Sequence, residues 1–393
     1  MSENNNGIVI NRLPSPTWFR LGVNGAEAEK AERFDDISDY LTQKNLGQVD
    51  LKKLPAGEAE KYADSFSDGI RREKYIAGKR AIYHEQHFAS GLGADFDAYV
   101  KESLNEVDVY TVEEGRKLSA PVILSYDFKD GASTASAQII RVSKDAQAVF
   151  IINQKSVRSA AGYSLNSTRV IVEKGAKLHL IKNNLTGRGY TVLDDTAAVV
   201  RESGEFDFTQ LLLGGDKVYA GCYADLCGDK SSLVINAGYT GDYENLIDIN
   251  YVACHRGKKT KSDITVNGAL KDKASKVFRG TIDFRNGSAD SEGEEREDVL
   301  LLSPSAVNKT VPVILTEEEQ VAGHHGATIG NLSEDMLFYL QTRGISKSEA
   351  EELMTRGRLQ SIADKIPDEG TLDEVSSFIC RSHSKPEKGN CDE

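Results

Sequence analysis

Between about Ser119 and Thr316 the chain is a succession of short β-rich runs, and no clear helical stretch of about ten residues or more interrupts them. They include "PVILSYDF", "AQIIRVS", "AVFIIN", "TQLLLGG", "SLVINAG", "DINYVA", "DITVNGAL", "VFRGTIDF", "VLLLSPSA" and "TVPVILT". Their β-branched and aromatic residues suit a pleated surface, and most close on Gly, Asn, Asp or Lys, several of which turn a chain at little conformational cost. The lack of intervening helices disfavours a βαβ sheet, because parallel neighbours in such a sheet need crossover helices. In "RVIVEKGAKLHLIKNNL" two alternating strands flank a tight "KGA" corner, and similar corners recur at intervals of about 10 to 17 residues. That rhythm fits a β-solenoid whose stacked coils bury one continuous core. A β-sandwich produces much the same rhythm, so the pattern leaves both open with the solenoid ahead.

The flanks differ in texture. Residues 1 to 55 read as irregular and hold Pro14, Pro16, Pro55 and the only tryptophan, Trp18. From Glu58 to about Glu106 the apolar residues Tyr62, Phe66, Ile70, Tyr75, Ile82 and Phe88 are spaced irregularly around three- and four-residue steps, which predicts helix. After His325 helices return. Ser333 is placed as N-cap of "LSEDMLFYLQTRG", Glu334 and Asp335 complement the helix dipole in its first turn, and Gly344 is its stop. "SKSE" (346 to 349) and "TLDE" (371 to 374) read as capping boxes opening two further helices. The expected division is therefore 1–115, an irregular and helical region; 116–325, the β core; and 326–393, a helical region with a polar tail.

Bulk properties limit the function. A chain of 393 residues can bury a large core. The formal net charge of −13 argues against a nucleic-acid partner, whose phosphates call for excess Lys and Arg; the basic "CHRGKKTK" (254 to 261) is too short to reverse this. The longest apolar runs fall far short of the ~20 residues that cross a bilayer, and the amino terminus lacks a basic region followed by an apolar one. A cytoplasmic protein with no membrane partner is expected. Five scattered cysteines suit reduced thiols better than a disulfide framework.

Motifs of chemistry are few. There is no GxxxxGK[ST] loop, GxSxG elbow or GxGxxG after a strand. "HEQH" (84 to 87) has its histidines three apart rather than four and reads as an exposed helix face. Cys222 with Cys227, and Cys380 with His383 and Cys391, match no closed four-ligand spacing. A metalloenzyme using Cys254, His255 and His324 is a remote reading. In "VAGHHGATIG" the adjacent His324 and His325 lie in a strand-like segment, so they point to opposite faces and cannot together chelate one metal. One would face the core or a partner and the other solvent.

"HGATIGNLSEDMLFYLQTRGISKSEAEELM", with "VFRGTIDFRNGSADSEGEEREDVLLLSPSAVNKTVPVIL" upstream, resembles the SufB/SufD family of iron-sulfur cluster assembly proteins over about Asn250 to Arg356. "NRLPSPTWFRLGVN", the sequence "HGAT" where SufB-type members have "HEAT", and the lack of a cysteine in "LLLSPSAVNKTVPVIL" point to the SufD-like branch. The resemblance implies a mainly β fold with helical ends: a right-handed parallel β-helix (solenoid) between α-helical regions. It implies a non-catalytic scaffold of the SUF system that pairs with a SufB-like paralogue through the β-helix and docks a SufC-like ATPase on its carboxy-terminal helices. It makes His325, the histidine of "HGAT", the ligand of iron or a nascent iron-sulfur cluster shared with that paralogue. An imidazole suits that task, because neutral nitrogen ligates iron and can replace thiolate at a cluster. Many members carry a cysteine where this chain has Gly323.

The docking surface implied is Ser333 to Arg358, with Phe338, Tyr339, Arg343 and Gly344 as candidate partner-binding residues. Phe338, Tyr339 and Leu340 are expected first to pack the helical core, as apolar helix positions usually do. A homodimer of the isolated chain is a further expectation, since the family pairs through like surfaces. The alternative function is a protein-interaction solenoid that binds no metal or cluster.

Overall fold

The computed structural model describes residues 7–14, 19–67, 70–76, 79–85 and 88–382. Before the core come β1 (Gly7–Ile10), β2 (Ala26–Glu29), β3 (Leu41–Lys44), β4 (Asp50–Pro55), α1 (Ala56–Asp64), β5 (Ile70–Ile76), β6 (Lys79–Glu85) and α2 (Ala94–Ser103). The core is built from β7 (Glu106–Val112), β8 (Val122–Phe128), β9 (Ser133–Val142), β10 (Gln147–Ser156), β11 (Ala161–Val172), β12 (Lys177–Leu185), β13 (Gly189–Val200) and β14 (Glu205–Leu212). It continues through β15 (Lys217–Leu226), β16 (Ser232–Gly241), β17 (Leu246–His255), β18 (Lys261–Leu270), β19 (Ser275–Phe284), β20 (Ser291–Leu301), β21 (Val307–Thr316) and β22 (Val321–Asn331). Three helices follow: α3 (Glu334–Thr342), α4 (Lys347–Ala363) and α5 (Glu369–Ser382).

Strands β7 to β22 wind as a parallel β-solenoid of about eight coils, each coil giving one strand to either of two facing sheets. A coil repeats after roughly 30 residues, as between Gln147 and its register partner Lys177. The solenoid, not the sandwich, is therefore the right choice between the two architectures the pattern allowed. Alternate residues of every strand turn inward. Val170, Leu180, Val192, Phe208, Val218, Ile235, Ile249, Val266 and Phe278 stack along one continuous apolar interior.

The corners explain why Gly, Asp and Lys punctuate the runs. Asp145, Gly175, Ser203, Lys230, Lys259 and Asp290 all have φ between 54° and 66° in the left-handed region. Each sends its backbone N–H to a carbonyl of the next corner, from Asp145 N to Lys174 O at 3.0 Å through to Asp290 N to Gln320 O at 2.7 Å. A turn that would otherwise leave its N–H without a partner thus extends the ladder of the sheets.

The two ends of the solenoid are unlike. At the first coil, β3 pairs antiparallel with β8, and β4 pairs antiparallel with β7, so both sheet edges are covered. At the last coil, β22 and β21 are the outer strands of their nine-stranded sheets. Helices α2, α4 and α5 do not close this end but lie back along the sides. Leu359, Ile362, Ile366, Val375 and Ile379 of the α4–α5 region pack on Ile181, Leu185 and Leu211 of the even-numbered sheet. Phe96 and Tyr99 of α2, with Ile8 and Ile10, pack on Leu165, Leu193 and Tyr219 of the odd-numbered one.

Three local expectations are corrected. The stretch from Glu58 to Glu106 is not helical throughout: between α1 and α2, β5 and β6 pair as an antiparallel hairpin. Its apolar residues never formed the continuous stripe a helix needs. His84 and Glu85 of "HEQH" accordingly stand on a strand rather than a helix face, and Gln86 and His87 lie outside the described residues. The last helix starts at Glu369, ahead of the "TLDE" box. Asp368 accepts from the Thr371 backbone N–H at 2.8 Å, while Glu374 pairs with Lys155 at 3.1 Å instead of closing a box. The other starts stand as read: Ser333 accepts from Met336 N, and the Ser346–Glu349 box makes both of its bonds.

Candidate functional site

The uncovered end of the solenoid is where "VAGHHGATIG" lies. In β20 the residues Ser291, Gly293, Glu295, Glu297 and Val299 are buried and alternate with more exposed ones, so that set faces the interior. β22 pairs in parallel register with β20: Gly293 with Gly323, Glu294 with His324, Glu295 with His325 and Val299 with Ile329. Register partners project to the same face. His325 therefore lies on the interior face, and is exposed only because no further coil covers it; His324 lies on the outer face beside Glu294. The pair is split as its adjacency in a strand requires.

The inward residues of the last coil form a mouth. Phe284, Ile314, Thr316, Val321 and Gly323, rimmed by Glu317, Glu318 and Glu319, line a cavity of about 420 Å³ there. A Cβ at Gly323 would come within 3.1 Å of Phe284 and 3.3 Å of Ile314, so a larger residue would need its neighbours to give.

Below the mouth lies a charged nest. Glu297 receives Lys276 Nζ, Thr310 Oγ1 at 2.5 Å and Tyr239 OH at 3.2 Å, and the side chains of both Lys276 and Glu297 are fully buried. This pairing uses the one lysine of the nest. Glu295, 1% exposed, is left with its Oε2 unpartnered. Burial first, and the Glu297 charge second, push its carboxyl up to about 7, against the pull of Lys276. Space for this carboxyl exists because residue 280 is glycine: a Cβ there would lie 2.4 Å from Glu295 Cδ. Sequence reading missed Glu295, Glu297 and Lys276, since "EGEERED" looks like a solvated strand until its register is known.

The residues expected to dock a partner lie just beyond, on α3. This helix buries none of its residues: Phe338 is 69% and Tyr339 56% exposed, Met336 is exposed and Leu340 half-buried. The expectation that these side chains pack the helical core is therefore wrong for Phe338 and Tyr339, because α3 hangs off the end of the solenoid rather than along its side. Arg343 stacks over the Tyr339 ring at 5.2 Å, and Gly344 ends the helix at φ 84°.

The remaining candidates do not converge. His255 is buried inside the solenoid and Cys254 faces the other way on the same strand, while His324 is at the far edge, so no centre unites them. Burial pushes the Cys254 thiol up to about 12, the state of an unreactive thiol. Cys222 is buried, Cys227 lies close to Val200 O at 3.4 Å, and neither is in a disulfide. His383 and Cys391 lie outside the described residues. Among the described residues no group of three His, Cys, Asp or Glu side chains is disposed to hold a metal ion, and no helix is long and apolar enough to cross a membrane.

A family model described as "SUF system FeS cluster assembly, SufBD core domain" matches residues 126–358, more than half of the chain. The iron-sulfur cluster assembly protein SufD of Bacillus subtilis (strain 168) is 32% identical over 154 residues, which are 39% of this chain and 34% of that protein. An iron-sulfur cluster assembly SufBD family protein of Staphylococcus aureus (strain MRSA252) is 21% identical over 402 aligned residues, covering 91% of this chain and 83% of that one.

Proposed function

Because the chain belongs to the SufBD family of iron-sulfur cluster assembly proteins, we propose that it is a SufD-like, non-catalytic scaffold subunit working in the cytoplasm. It pairs with a SufB-like paralogue across the uncovered last coil, and docks a SufC-like ATPase on α3 and the start of α4. The iron-sulfur cluster is cargo, held transiently between the paired subunits with His325 as this chain's ligand.

The observation that carries this reading is the asymmetry of the ends. Both edges of the first coil are covered by antiparallel strands, while the last coil presents two edge strands and an interior-facing histidine. An exposed sheet edge is a template for another chain. The apolar residues Met336, Phe338 and Tyr339 stand next to it on a helix that packs little against its own protein, as a docking helix would. The experiment is anaerobic reconstitution with SufB-type and SufC-type partners. The His325→Ala complex should assemble intact yet form cluster at least about tenfold more slowly. Undiminished cluster formation in an intact complex would remove His325 from the ligand set. An intact complex that forms no cluster even with the native chain would favour a purely structural interaction solenoid.

A further inference from the structure

We propose that Glu295 is a second metal-binding residue of this chain, forming with His325 a two-ligand half-site for a first-row divalent cation such as ferrous iron at the mouth of the solenoid. The proposal rests on the reading of His325 as a cargo ligand and extends it by one residue from the coil below.

Three observations lead there. First, Glu295 and His325 are register partners on adjacent parallel strands and share the inward face. Adjacent strands lie about 4.8 Å apart. A cation bound at roughly 2.1 Å to a nitrogen and to an oxygen spans about 4 Å, so side chains so placed can share one ion. Second, Glu295 is buried but its Oε2 has no hydrogen-bond partner. A charge buried in that state is costly unless paired or bound to a metal. The other polar groups of the nest are committed: Lys276, Thr310 and Tyr239 all bind Glu297. Third, the layer above Glu295 is the last coil itself. Gly280, over which its carboxyl rests, has Pro312 as register partner on β21, while His325 occupies β22. Pro312 offers no side-chain donor, and His325 is exposed at the open end, where a cation can reach it from solvent.

An imidazole and a carboxylate are both accepted by ferrous iron. Two ligands leave the ion open toward the mouth, where sulfide or a ligand from a partner subunit would complete it. A half-site is consistent with cargo that must leave again.

The test uses the full-length chain without partners. Cobalt(II), a coloured substitute for iron(II), is titrated anaerobically and followed by its visible absorption. The variants are Glu295→Gln, His325→Ala and the outward control Glu294→Gln. The native chain and Glu294→Gln should bind one ion with the same affinity, while Glu295→Gln and His325→Ala should each bind at least tenfold more weakly. Thermal unfolding should show Glu295→Gln at least as stable as the native chain, since it loses a buried charge and not a contact. Native-like binding by Glu295→Gln overturns the proposal. If His325→Ala alone weakens binding, Glu295 is excluded and the His325 reading survives. If both variants bind like the native chain, the His325 reading loses its support as well. A native chain that binds no cobalt overturns the half-site, leaving His325 to be judged by cluster reconstitution in the complex.

Discussion

His255 shows at the scale of one residue how the interior sets protonation. Its Nδ1 lies 2.6 Å from Thr260 Oγ1 and its Nε2 2.9 Å from Ser262 Oγ, and its ring packs against Phe284 with centroids 4.7 Å apart. Burial depresses its pKa to about 3. In the unfolded chain the same imidazole takes up a proton near pH 6.5. Between those two values the unfolded state holds more protons than the folded one, so this residue makes the protein less stable as pH falls, by about 1.4 kcal/mol per pH unit. Below the folded value both states are protonated and the slope vanishes. Urea midpoints at pH 7 and pH 5 should therefore show the native chain losing about 2 kcal/mol more than His255→Gln over that interval. Equal losses would mean that the ring is charged in the fold. Buried carboxylates such as Asp283, raised to about 6 chiefly by burial, slope the other way, but they are common to both proteins and cancel.

At the scale of elements, much of the solenoid could be read from the runs of β-branched and aromatic residues, and the parts that could not are those with charge inside. β13 carries Asp194 and Asp195 at its centre, which in sequence look like a turn. In the fold Asp194 faces inward to Lys182, and Asp195 faces outward to Arg169 at 2.6 Å. Only pairing across coils makes those acids compatible with a strand, and pairing across coils is invisible locally. β20 escaped because the partner of Glu297, Lys276, lies on β19, across the interior of the solenoid and equally invisible locally. The caps at Ser333 and Ser346 were legible because their bonds stay within one turn. Where α4 lies was not legible, and it depends on one small residue. A Cβ at Gly238 would come within 2.8 Å of Leu211, 2.9 Å of Leu359 and 3.2 Å of Ile362. Gly238→Val should lift α4 off the sheet and cost about 1 to 3 kcal/mol. Measured by urea denaturation with hydrogen exchange, the loss of protection should centre on α4 and α5; a uniform loss along the solenoid would contradict that placement.

At the scale of the molecule, a solenoid is stabilised by nearest-neighbour coils, and its ends decide its fate in solution. The first coil is closed by β3 and β4, so growth is blocked on that side. The last coil has its inward set, Val321, Gly323, His325, Ala327 and Ile329, facing no further layer, and Ile329 is 54% exposed. An open sheet edge with apolar residues above it favours pairing with a like surface, and two copies joined there by a two-fold axis close without leaving another edge. The isolated chain should therefore dimerise reversibly, with a sedimentation coefficient that rises with concentration. Ile329→Lys places a charge on the inward face of the exposed edge, where it is solvated in the monomer but would be buried in the pair. That substitution should weaken dimerisation by about tenfold or more while leaving the monomer's melting temperature nearly unchanged, since a charge is costly only when burial strips its water. A native chain that stays monomeric at high concentration would show that the edge alone does not hold a second copy. A dimer that Ile329→Lys leaves intact would move the contact elsewhere, and α3, whose exposed Phe338 and Tyr339 are untouched by that change, would be the next surface to substitute.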